Sequence, residues 1–195
     1  MGEYWFLGNI WYVIAACEIL YVMDYCLGNI ETQMYLTSAS RYFQIDNIYE
    51  QDPYLNRATG KISWVNWRII IILLLLAGGL YAVWHLSVGK YAEPRIFSIL
   101  AGGIILLKAA SLVRRLRYLS LFQYLGKHGG LEGNLKISRG LFLTAGYTEL
   151  YGFSLLYLLS FLITGSWFFT GGGFTCFISA RRRRDYTLIS RYTAG

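Results

Sequence analysis

The chain has 195 residues, is 55% hydrophobic and 15% charged, and carries a formal net charge of +7 at pH 7. Soluble domains hold about 45–50% apolar residues, so this composition, with a mean hydropathy of +0.40, argues against an ordinary water-soluble domain. A spanning helix takes about 20 apolar residues, and four such stretches occupy about half of the chain. Little is left for an extramembrane domain of ordinary size, and the expectation is one polytopic, all-α membrane domain over residues 1–195.

The first predicted span is 4–27. It lacks the basic flank and short apolar core of a signal peptide, so a retained helix is expected. A polar connector follows. Within it Tyr35, Ala39, Tyr42, Ile45 and Tyr49 recur at helical spacing opposite Arg41, Asp46 and Glu50. That pattern predicts an amphipathic helix on the membrane surface. The second span is 64–88, with an unbroken apolar run from Ile69 to Leu76.

Pro94 opens the third span, 94–113, where its missing N–H costs nothing. Ser98, Gly102 and Gly103 form a small-residue face, matched by Gly78, Gly79 and Ala82 on the second span. Small faces allow two helix backbones close approach. Beyond Val113, Arg114, Arg115 and Arg117 begin a basic surface extension. The fourth span is 141–163. A last apolar segment, 165–180, contains Gly171-Gly172-Gly173 and ends at Arg181-Arg182-Arg183-Arg184. It predicts either a Gly-interrupted half-helix or a fifth span.

Orientation depends on that last segment. Let side B carry the N-terminus and side A lie opposite. Side A then holds Arg41, Arg57, Lys61, Arg114, Arg115, Arg117, Lys127, Lys136 and Arg139. With four crossings, Lys90, Arg95, the four tail arginines and Arg191 fall on side B, and nine charges against seven decide nothing. A fifth crossing moves the tail and makes the ratio fourteen to two, with side A cytoplasmic by the positive-inside rule. The objection is that Trp167 to Ala180 is fourteen residues, short for a full crossing.

Three charged residues fall deep within the spans, five or more residues from either end: Glu18, Lys108 and Glu149. Counted from side A, all three lie roughly 8–14 Å deep at about 1.5 Å per residue, so they are expected to share a layer. A charge in hydrocarbon requires a partner or water. One lysine neutralises one carboxylate, and the other must be protonated, hydrated or bound to a cation. Tyr21, Tyr25, Tyr147 and Tyr151 flank the acids as candidate hydrogen-bond partners. A structural ion pair that locks helix packing accounts for the same residues.

Arg114, Arg115, Arg117, Arg181, Arg182, Arg183 and Arg184 sit at the membrane boundary. There they attract anionic lipid headgroups, each residue contributing about 1 kcal/mol, and nucleic acid is not expected. Asp24, Glu31, Asp46, Glu50 and Asp52 gather near side A, but no pair has a metal-ligand spacing. His85 and His128 are expected on opposite sides, which excludes a bis-histidine haem. Cys17, Cys26 and Cys176 form no disulfide framework, and no motif points to a cofactor. The leading functional expectation is a small transport or channel protein that handles a proton or cation as a homo-oligomer. A non-catalytic subunit assembled with other membrane subunits is the alternative, and a lipid-modifying enzyme the third.

Overall fold

The computed structural model describes residues 9–37, 43–45, 67–91, 93–128, 135–137 and 139–192. The described chain is almost entirely helical, with one pair of three-residue strands. Its elements are α1 (Ile10–Thr37), β1 (Phe43–Ile45), α2 (Trp67–Trp84), α3 (Pro94–His128), β2 (Leu135–Ile137), α4 (Arg139–Thr164) and α5 (Trp167–Tyr192). A π-helical turn, His85–Lys90, extends α2. Four stretches are long and apolar enough to cross a membrane: Ile10–Thr37, Trp67–Lys90, Pro94–Tyr124 and Thr144–Thr164. The chain is therefore a multi-pass membrane protein by length and composition.

α1 and α3 pack in parallel. Ile10, Val13, Ile14 and Cys17 of α1 meet Phe97 and Ala101 of α3 toward side B, with Leu80 of α2 closing the cluster. Toward side A, the Tyr35 and Phe122 rings lie 5.9 Å apart. α2 is peripheral: Ile69 and Leu80 are its buried residues, and Trp67, Leu74 and Leu75 are exposed. Exposed apolar side chains on such a helix belong against lipid.

α4 ends at Gly165, whose φ of +67° reverses the chain. Left-handed backbone costs glycine little, which suits it to a helix C-terminus. α5 then returns along α4. The Ser154 hydroxyl donates to the Gly173 carbonyl at 2.8 Å, and the Tyr151 ring lies 5.6 Å from that of Phe177. α5 also packs tightly on α3. A Cβ on Gly102 would clash with the Phe168 carbonyl, and one on Gly171 with the Ile99 carbonyl. Ala110, Leu150, Tyr157, Cys176 and Ala180 bury the junction of α3, α4 and α5.

Several expectations change. The first helix is longer than the predicted span, because α1 runs on to Thr37, while α3 continues past Val113 to His128 as the basic extension expected there. Phe43–Ile45 is extended and pairs in parallel with Leu135–Ile137, which breaks the amphipathic helix expected across Tyr35 to Glu50. The backbone pairing with β2 supplies there what helical hydrogen bonds would have supplied. Residues 38–42 and 46–66 of that connector lie outside the described residues. The glycines of 171–173 do not interrupt α5, which is continuous across them. The small face of α3 packs on α5, whereas a Cβ on Gly78 or Gly79 of α2 meets nothing within 4 Å.

Candidate functional site: a charge cluster between α1, α3 and α5

Spacing on two parallel helices builds the cluster. Seven residues are close to two helical turns, so i and i+7 share a face. Asp24 and Glu31 are seven apart on α1, and Lys108 and Arg115 seven apart on α3. Parallel packing brings the four into register.

Asp24 is the centre, at 8% exposure. Its Oδ2 accepts from Lys108 Nζ at 2.8 Å. Its Oδ1 accepts from Ser111 Oγ at 2.9 Å and Arg115 Nε at 2.7 Å. Arg115 Nη1 then donates to Glu31 Oε2 at 2.9 Å. The Lys108 ammonium also sits 3.9 Å from the Tyr21 ring centroid, a cation–π contact strengthened by desolvation. A buried carboxylate needs this many donors to offset lost hydration.

A cavity of about 440 Å³ opens beside Asp24. Lys108, Arg114, Arg115, Arg182 and Arg183 line it, with Asp24 as the one carboxylate and Leu107, Ser111, Leu150 and Ser179 between them. The tail arginines reach it because α5 runs parallel to α3. A Cβ on Gly146 would lie 3.4 Å from Arg183 Nη1. Burial first, and the Arg114 charge second, hold the Arg183 guanidinium down at about 10. Arg114 Nη1 is buried with no hydrogen-bond partner among the described residues.

A second cavity, of about 390 Å³, lies between α3 and α4, lined by Val113, Arg114, Arg117, Glu149, Gly152, Phe153 and Leu156. Glu149 pairs with Arg117 through Oε1, while its Oε2 is buried without a hydrogen-bond partner among the described residues.

The expected Glu18, Lys108 and Glu149 layer is thus divided. Lys108 is matched by Asp24, and Glu149 by Arg117 on the far flank of α3. No ion pair among the described residues includes Glu18. Of the flanking tyrosines, Tyr21 supports Lys108 by its ring, and Tyr147 and Tyr151 pack edge to face with centroids 6.2 Å apart. Tyr25 of α1 is also engaged in an interaction. Arg115 and Arg117, expected to face headgroups, are engaged within the protein. Arg114, Arg182 and Arg183 line the cavity, Arg184 lies 3.9 Å from Asp185, and Arg181 is exposed. Asp24 and Glu31, weighed above as metal ligands, are both bound by Arg115. Asp46, Glu50 and Asp52 lie outside the described residues.

Sequence reasoning passed over Asp24. A first span ending at Leu27 left it within a turn of solvent. The seven-residue spacing shared by two acids on α1 and two bases on α3 was the signal that would have found it. The chain matches no family model, and comparison with curated proteins and with solved structures found no match.

Proposed function

We propose that this chain is a five-crossing membrane protein of the transport class whose side-A cavity binds an anion of the phosphate type. One observation carries this reading: five cationic side chains and a single carboxylate form the cavity wall. Even with Glu31 counted through its bond to Arg115, cations outnumber acids. A surplus of positive charge in a poorly hydrated site favours a bound anion. Arginine forks suit phosphate oxygens in particular. This reverses the sign of the species expected from Glu18, Lys108 and Glu149.

The fifth crossing is α5. Its apolar part, Trp167 to Ala180, spans only about 20 Å at 1.5 Å per residue. The helix continues into arginines with long stems that reach toward the interface. The tail then joins Arg114, Arg115 and Arg117 on side A, and the fourteen-to-two charge ratio makes that side cytoplasmic. Reporter fusions test the topology. A cytoplasm-active reporter is expected to work at the C-terminus and fail at the N-terminus. Activity at both ends would remove the fifth crossing.

Anion binding is tested on the full chain in mild detergent, with inorganic pyrophosphate as probe and the melting temperature as readout. A ligand that binds only the folded state stabilises it by RT ln(1 + [L]/Kd). Arg114→Gln removes one cavity charge without breaking a described ion pair. A hydrogen bond to a charged group contributes about 1.5–3 kcal/mol, so affinity is expected to fall about tenfold to a hundredfold. Stabilisation by sodium or protons with no response to pyrophosphate would restore the cation reading.

A further inference from the structure

The second cavity adds an apolar compartment to the same site. α3 and α4 make few direct contacts, because α5 packs against both. The cleft left between them is walled by Val113, Phe153 and Leu156, with no side chain at Gly152. Val113 is 53% exposed and Leu156 56%, so the cleft opens toward the surface a bilayer would cover. Arg114 is common to this cleft and to the basic cavity. At the polar end stand two buried atoms without hydrogen-bond partners among the described residues, Arg114 Nη1 and Glu149 Oε2. The first is a donor and the second an acceptor.

A free phosphate ion satisfies the donor and leaves the apolar cleft empty. A hydrocarbon chain fills the cleft and satisfies neither polar atom. A phosphodiester lipid with a hydroxyl on its headgroup meets all three demands. Its phosphate accepts from Arg114, its hydroxyl donates to Glu149, and an acyl chain lies along Val113, Phe153 and Leu156. Buried polar atoms left unmatched are costly, so this complementarity selects among lipids that share the same chains.

We propose that the anion bound beside α3 is the headgroup of an anionic phospholipid bearing a free hydroxyl, taken in sideways from the bilayer through the α3–α4 cleft. The proposal rests on the phosphate-type reading of the basic cavity and names the ligand class for it.

The test uses the full chain in detergent, titrated with phosphatidylglycerol or phosphatidylcholine of identical chains and followed by native mass spectrometry. Phosphatidylglycerol is expected to be retained at least tenfold more tightly, since choline offers no donor to Glu149. Gly152→Phe places a ring in the cleft, and a Cβ there meets nothing within 4 Å, so the fold accommodates its attachment point. This variant is expected to lose at least tenfold in phosphatidylglycerol affinity while its stabilisation by pyrophosphate is unchanged. Gly152→Leu, smaller, is expected to fall between it and the natural chain. Equal retention of the two lipids, or undiminished phosphatidylglycerol binding in Gly152→Phe, would overturn the lipid assignment alone. Absence of any pyrophosphate response in the natural chain would overturn the underlying anion reading as well.

Discussion

Asp24→Asn is expected to lower the stability of the helical bundle by about 3–5 kcal/mol, the range for removing one partner of a buried ion pair. Asp24 accepts from three donors on one face of α3, namely Lys108, Ser111 and Arg115. An amide keeps an oxygen and the shape, but removes the charge that two cations face. Arg115 retains Glu31 as a counter-ion, so the larger loss falls on Lys108, which keeps only the Tyr21 ring among the described contacts. The measurement is unfolding in mixed micelles with increasing denaturing detergent, followed by circular dichroism. Glu18→Gln is the internal comparison. It sits on the same helix but in no described ion pair, and a change within about 0.5 kcal/mol is expected, as for substitutions away from such features. Equal destabilisation by the two would mean that the Asp24 network does not hold α1 to α3.

The same pair of acids shows what the sequence allows. The four long apolar spans are legible from hydropathy, because lipid solvates nothing but hydrocarbon and the run length is fixed by bilayer thickness. Which charges meet depends on where each helix ends. Shortening α1 to Leu27 made Asp24 a surface residue and promoted Glu18 in its place. With α1 continuing to Thr37, Asp24 and Glu31 both face α3. Helix ends are set by connector residues, and hydropathy is weak there. The small-residue faces teach a related lesson. Ser98, Gly102 and Gly103 were legible as a close-packing surface on α3, but composition cannot choose its partner. Two candidate stripes existed, Gly78-Gly79 on α2 and Gly171-Gly172-Gly173 on α5. The second is the one in contact, and it sits where the segment was suspected of being broken.

That contact carries the other large effect. Gly171→Ala is expected to destabilise the protein by about 1–3 kcal/mol or more, the cost of overpacking an interior. The added methyl meets the Ile99 carbonyl, with the Ile99 carbon at 2.7 Å and the Gly103 nitrogen at 2.9 Å. These are backbone atoms on a helix, so no rotamer change relieves the clash, and α3 and α5 must separate. Gly78→Ala is the counterpart. Its Cβ enters open space, and alanine is a better helix residue than glycine by about 0.5–1 kcal/mol, so no loss and a small gain are expected. Melting in mild detergent distinguishes the two. The consequence reaches the site, because Arg114 and Arg115 come from α3 while Arg182 and Arg183 come from α5. Separating those helices widens the cavity, and pyrophosphate stabilisation is expected to weaken in Gly171→Ala although no cavity residue has changed. A Gly171→Ala protein that melted with the natural chain and bound pyrophosphate equally would mean that α3 and α5 do not touch at this depth. The tail arginines would then lose their place beside Arg114, and the charge surplus on which anion binding rests would go with them.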